Sequence, residues 1–241
     1  MTTSFPTTRW TLVIQASDTN SPERISALSE LMQANWFPLY TFLRRSGKQA
    51  HEAEDLIQGF FTKFLERNLL EGVHGAKRGR FRNFLLICLK HYVASEYRKL
   101  NAQKRGGGAK HLAIDFEDAD RRFKIEPHHE LTPERAFDRS WAVEIVQRGL
   151  DRVGRAWHAS GKGEKFEALK VFLVADDQAP SQENVAENLG MPASTLRVNI
   201  HRLRGDFRKA ICAEVADTLE KGDLLEDEIN HLFSALNTKQ V

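Results

Sequence analysis

Apolar residues recur every three or four positions along nearly the whole chain, the spacing that gives a helix one apolar face. No segment alternates polar and apolar residues with the period of two that a half-buried strand requires. The pattern therefore predicts an all-α protein. The predicted helices cover about 21–46, 53–65, 81–99, 133–157, 166–173, 182–189, 195–207 and 225–236.

Caps and breakers refine the ends of these helices. Ser21-Pro22 and Thr132-Pro133 each have the order of a capping residue followed by a first helical residue. Pro38 lacks an amide hydrogen and is expected to interrupt the first helix.

The chain changes character after the third predicted helix. Three glycines at 106–108 precede alternating charges without an apolar stripe, which is typical of a flexible linker, and a short ordered piece is expected at 112–116. The sequence thus predicts two helical domains joined by a flexible linker. The segments are an N-terminal extension (1–20), a first helical domain (21–100), the linker (101–131), a second helical domain (132–213) and an acidic C-terminal extension (214–241).

Charge is segregated along the chain, although its net charge is only +2. The segment 77–110 carries +9 and the segment 195–210 carries +4, whereas 51–71 carries −3 and 211–241 carries −5. Two basic clusters on separate helical domains are the electrostatic signature of a nucleic-acid-binding protein.

The C-terminal extension has an apolar stripe on an acidic background. The stripe consists of Leu225, Ile229, Leu232, Phe233 and Leu236. An apolar face of this size is expected to be covered. Two arrangements are open: the extension shields a basic DNA-binding face, or it packs on the helix at 133–157 as additional core.

Residues 181–213 have the pattern of a helix-turn-helix. Ser181 can cap a short helix, Gly190 can end it, and a basic amphipathic helix follows. The apolar face of that second helix holds the crossing angle, so its polar N-terminal residues can face the major groove of DNA. The helix at 81–99 mixes aromatic and basic side chains, a combination that can hold unpaired bases.

No spacing of nucleophiles, histidines or cysteines predicts an enzyme, a metal site or a cofactor. The two cysteines, Cys88 and Cys212, cannot form a disulfide framework, and both are expected to be reduced and buried in a cytoplasmic protein. No apolar run approaches the roughly 20 residues of a membrane helix, and no signal-peptide order is present at the N-terminus.

Three segments, in this order, resemble bacterial RNA polymerase sigma factors of the sigma-70 family. The run HEAEDLIQGFF at 51–61 resembles the polymerase-binding segment of sigma region 2, and the helix at 81–99 resembles its promoter-opening segments. Residues 185–204 resemble the helix-turn-helix of sigma region 4. With no third domain between them, the resemblance is to the extracytoplasmic-function (ECF) group.

The resemblance implies a protein that is not an enzyme, but binds core RNA polymerase, recognises promoter DNA and promotes transcription initiation in the cytoplasm. The partners that it implies are promoter DNA and core RNA polymerase, through the clamp helices of the largest subunit and the flap. An anti-sigma factor or another regulator is compatible with the resemblance as a further partner. No membrane is implied. Contacts with core polymerase are implied for Glu54, Asp55, Gln58, Phe61 and Phe64. Contacts with the minus-ten element are implied for Arg80, Arg82, Asn83, Lys90, His91 and Arg98. Contacts with the minus-thirty-five element are implied for Ser194, Arg197, Val198, His201 and Arg202.

Two other classes of function account for part of the sequence. A helix-turn-helix regulator would bind DNA without being a polymerase subunit, and the acidic, aromatic helix at 53–65 argues against it. An interaction protein would bind polymerase without opening a promoter, and the basic helix of the helix-turn-helix argues against that.

Overall fold

The structure is a computed structural model, and it describes residues 16, 18, 22–66, 81–102, 116, 119–125, 131–173, 179–219 and 225–237. All regular secondary structure in these residues is helical, as the apolar spacing predicts. The helices are α1 (Arg24–Arg45), α2 (Ala50–Glu66), α3 (Phe81–Ala102), α4 (Ala119–Ile125), α5 (Pro133–Ala159), α6 (Gly163–Leu169) with a following 3-10 turn (Lys170–Leu173), α7 (Gln182–Asn188), α8 (Ala193–Ala216) and α9 (Leu225–Leu236).

The predicted start of α1 is wrong, and so is its predicted interruption. The helix begins at Arg24, after Glu23 as N-cap with no side-chain capping bond, and Ser21 lies outside the described residues. It runs unbroken through Pro38, although proline removes one backbone hydrogen bond. Phe37 and Leu39 on either side are buried, so tertiary packing holds the helix together across the proline.

Two other predicted helix ends are confirmed. The backbone amide of Arg135 donates to Thr132 Oγ1 at 3.3 Å, which caps α5. After α7, Gly190 has φ of 61° and the Met191 amide donates to Ala186 O at 3.0 Å, the pattern of a left-handed glycine cap.

The described residues form two compact units, one from Met1–Val143 with Asp217–Val241 and the other from Glu144–Ala216. This boundary differs from the predicted one at residue 132, because the start of α5 packs in the first unit. Phe137 belongs to the same apolar core as α1, α2 and α3. Ser140 is buried and lies 3.5 Å from Thr41 on α1. A domain boundary therefore cannot be placed before α5.

The core of the first unit is built mainly from aromatic side chains. Tyr40 on α1, together with Phe60 and Phe61 on α2, is fully buried. Phe60 and Phe64 lie with ring centroids 5.6 Å apart, and Phe64 contacts Phe84 of α3 at 6.3 Å. The Phe64–Phe84 pair joins α2 to α3 and adds to what area burial alone provides.

The predicted flexible linker contains a helix that packs on α1. Arg44 forms an ion pair with Asp120 of α4, and its guanidinium lies 4.7 Å from the ring of Phe123. Arg122 lies over the Phe37 ring at 3.7 Å. Flexibility is therefore the wrong prediction for residues 119–125, whereas the glycine run and residues 112–115 lie outside the described residues.

The second unit has its own apolar core. It is formed by the C-terminal part of α5, by α6 with its 3-10 turn, and by α7 and α8; buried members are Val153, Trp157, Phe166, Leu169, Val185, Leu196, Ile200 and Leu203. Cys88 and Cys212 form no disulfide and are both half-buried, which corrects the expectation that they are buried.

Alanine at two glycines should have opposite effects on the second unit. Gly190→Ala should lower the free energy of unfolding by about 1–2 kcal/mol, because a side chain is strained at a positive φ. Gly205→Ala should raise it by about 0.5–1 kcal/mol, because Gly205 lies inside α8 with open space around it. Urea unfolding of both variants measures these changes, and shifts in the same direction would contradict the two opposite effects.

The ion pairs of α4 should make stability pH-dependent. The pKa of Asp120 is lowered, first by the hydrogen bond from Lys124 and then by that from Arg44. A lowered folded-state pKa stabilises the fold above the ordinary carboxyl pKa, and this is lost as pH falls through the folded value. Asp120→Asn should therefore cost up to about 1 kcal/mol at neutral pH. The difference between parent and variant should shrink as the pH falls through the carboxyl range, and a difference that does not change with pH would contradict this.

Candidate nucleic-acid interface

The turn of the helix-turn-helix is fixed by short-range hydrogen bonds. Ser181 caps α7, its hydroxyl accepting from the Asn184 amide at 3.1 Å, as predicted. Leu196 and Leu203 of α8 are fully buried against Val185 of α7. The apolar face of α8 therefore faces α7, and the opposite face of α8 is exposed.

The exposed face of α8 carries every residue predicted to contact the minus-thirty-five element. Ser194, Arg197, Val198, His201 and Arg202 are all exposed. Arg197 lies 3.9 Å from Glu183, but both side chains are more than 60% exposed, so this pair contributes little and leaves the guanidinium able to move. Val198 is 65% exposed, which suits an apolar contact with a thymine methyl group.

Arg204 of α8 has a structural partner in the same unit. Its Nε and Nη2 donate to Phe172 O at 3.2 and 2.9 Å. The guanidinium thereby donates to a carbonyl within the 3-10 turn Lys170–Leu173. This contact fixes the turn to α8.

A second exposed polar face runs along α3 in the first unit. Asn83, Lys90, His91 and Arg98 are exposed at spacings that place them on one side of the helix. Ile87 lies among them, four residues from both Asn83 and His91, and is 52% exposed. The sequence analysis did not single out Ile87, although a helical projection places this residue with the polar ones.

One basic group of this α3 face, Lys90, is paired with an acidic residue of α5. Lys90 Nζ lies 2.7 Å from Glu134 Oε1 on α5, and this hydrogen bond is the main cause of the lowered pKa of Glu134. Both side chains are more than 40% exposed, so DNA phosphate can compete for the lysine. Arg80, which is also predicted to contact DNA, lies outside the described residues.

Arg82 is buried, unlike the other described residues that were predicted to contact the minus-ten element. It is 3% exposed, and its Nε donates to Glu228 Oε1 of α9 at 2.8 Å. It also pairs with Asp138 of α5, and its guanidinium carbon lies 4.8 Å from the Trp141 ring. In this conformation Arg82 joins three helices, so the prediction that it contacts DNA does not hold for the structure as it stands.

The predicted polymerase-binding residues of α2 divide into two sets. Asp55 is exposed, and Glu54 and Gln58 are half-buried, so these three offer polar groups at the surface. Phe61 and Phe64 are 1% and 3% exposed and belong to the core. The prediction that these two rings contact a partner is therefore wrong; their period matches the buried face of α2.

Polar contacts hold α2 against α3. Lys63 of α2 forms an ion pair with Glu96 of α3. Burial, and then the charge of Glu96, raises the pKa of Tyr92 to about 12, so the phenol stays neutral. Lys63 Nζ also lies 4.9 Å from the Tyr92 ring. These contacts hold the two helices together and leave Asn83, Lys90, His91 and Arg98 of α3 at the surface.

No protein-family model, curated protein or solved structure matches the chain. Within the described residues, no helix is long and apolar enough to cross a membrane. In the same residues, no group of three or more His, Cys, Asp or Glu side chains is arranged to hold a metal ion. The candidate binding surfaces are therefore the exposed faces of α2, α3 and α8.

Proposed function

We propose that the protein is an RNA polymerase sigma factor of the ECF type. The observation that carries the proposal is the exposed face of α8, which presents Ser194, Arg197, Val198, His201 and Arg202 from a helix-turn-helix with a buried apolar face. Helices of this kind read base edges in the major groove with residues of their N-terminal half.

The first unit supplies the two other surfaces that the function requires. The α3 face combines Asn83, Lys90, His91 and Arg98 with the exposed apolar side chain of Ile87. Cations that track a phosphate backbone beside an apolar surface suit single-stranded DNA. The polar groups of Glu54, Asp55 and Gln58 on α2 suit a basic surface of core polymerase.

Reconstituted transcription tests the proposal. Core polymerase without a sigma factor, incubated with this protein and DNA from upstream of its own gene, should give discrete transcripts that are absent when the protein is omitted. DNA binding without such transcripts would favour a helix-turn-helix regulator and overturn the proposal. Polymerase binding without transcripts would favour an interaction protein.

Recognition of duplex DNA should depend on Arg197. Arg197→Ala should weaken binding to the cognate upstream element by about 1–3 kcal/mol, because a bidentate base contact is lost. Arg155→Ala removes the same charge from an exposed position on α5 in the same unit and is the matched control. Fluorescence anisotropy with cognate and scrambled duplexes measures both; an equal loss on the two duplexes would assign Arg197 to phosphate alone.

Polymerase binding should depend on the exposed residues of α2. The double variant Asp55→Ala, Gln58→Ala should bind core polymerase at least about tenfold more weakly, because it loses a charged and a polar group at one surface. Glu30→Ala removes an exposed acidic group from α1 and serves as the control. Pull-down with core polymerase is the measurement, with circular dichroism as a check of folding. Parent-like binding by the folded double variant would contradict the assignment.

A further inference from the structure

Helix α9 completes the buried environment of Arg82. Glu228 is 1% exposed and accepts from Arg82 Nε at 2.8 Å. Additional contacts join α9 to α5: Arg139 Nη1 donates to Leu236 O at 3.0 Å, and His231 Nε2 lies 3.4 Å from Asp138 Oδ2. All of these residues belong to the first unit.

The position of Arg82 on α3 links this contact to the DNA-facing surface. Arg82 lies eight residues before Lys90 on one ridge of α3, and both side chains contact α5, Arg82 through Asp138 and Lys90 through Glu134. Its Nη2 is buried and has no hydrogen-bond partner among the described residues. Carboxylate and phosphate oxygens bind a guanidinium in the same geometry, so either anion can occupy this position.

We propose that Glu228 is an internal substitute for a DNA phosphate. While α9 is docked, its carboxylate holds Arg82 and keeps it from nucleic acid. When α9 leaves, Arg82 binds a backbone phosphate of the strand held by Lys90. The inference rests on the proposed function, since it assigns Arg82 to the same DNA strand.

The contacts that hold α9 are of a kind that a competing ligand can displace. Leu232 is fully buried, whereas Leu225, Ile229 and Leu236 are half-buried and Phe233 is 50% exposed. A buried ion pair contributes little net stability, because desolvation offsets its attraction. The twelve-residue α9 is therefore held by one buried apolar side chain, its half-buried neighbours and polar contacts, and strand binding shifts it towards the undocked state.

Two single-charge variants of the full chain separate this contact from a general effect of charge. Glu228→Gln removes the buried carboxylate, whereas Glu226→Gln removes an exposed one two residues earlier on the same helix. The probe is fluorescein-labelled single-stranded oligodeoxythymidylate, titrated at several salt concentrations. Glu228→Gln should bind about tenfold more tightly and steepen the slope of log K against log salt by about 0.7, the value for one added phosphate contact on a single strand. Glu226→Gln should change affinity less than twofold, and adding Arg82→Gln to Glu228→Gln should abolish the gain.

Hydrogen exchange in the unaltered protein gives a readout that does not depend on any variant folding. Saturating oligodeoxythymidylate should speed amide exchange in residues 225–236, because α9 undocks. Unchanged or slower exchange there would overturn the inference. Equal affinities and salt slopes for the two glutamine variants would overturn it too, while leaving the proposed sigma-factor function standing. Failure of every variant and of the parent to bind the oligonucleotide would overturn both.

Discussion

The two ion pairs of the Arg82 guanidinium join α3 to α5 and α9, and the arrangement of these helices in the first unit depends on them. The guanidinium brings Glu228 of α9 and Asp138 of α5 to one point on α3, and Trp141 of α5 packs against it. Removing one partner of such a buried pair leaves an uncompensated charge, which costs far more than the intact pair contributes. The pair therefore specifies where α9 docks and explains why residues far apart in the sequence fold as one unit.

Function depends on what this arrangement leaves exposed. The apolar faces of α2, α3 and α8 are used for packing, so the polar residues on their opposite faces lie at the surface. On α8, the cap at Ser181 and the left-handed Gly190 set the turn, and with it the face that Arg197 presents. The chemistry of the candidate site is thus that of exposed cations, amides and small apolar groups, which suits recognition of nucleic acid.

The sequence predicted the helices and the helix-turn-helix well, because apolar period, caps and glycines are local signals. It did not predict the role of Arg82, since nothing local marks an arginine that pairs with a glutamate 146 positions away. It assigned Phe61 to a partner surface although the period alone places that ring in the core. It missed α4, whose few apolar residues form no stripe and whose docking depends on Arg44 and Arg122. The start of α5 was assigned to the wrong unit for the same reason: which core a helix joins is a tertiary property.

A double-mutant cycle between Arg82 and Glu228 measures directly how strongly these two side chains are coupled in the folded protein. Urea unfolding of the parent, Arg82→Gln, Glu228→Gln and the double variant gives the coupling free energy between the two side chains. The structure predicts that each single variant is less stable than the parent, and that the double variant loses less than the sum of the two single losses, because both single variants break the same contact. Single losses that simply add would show that the two side chains do not interact, and would contradict the role assigned here to Arg82.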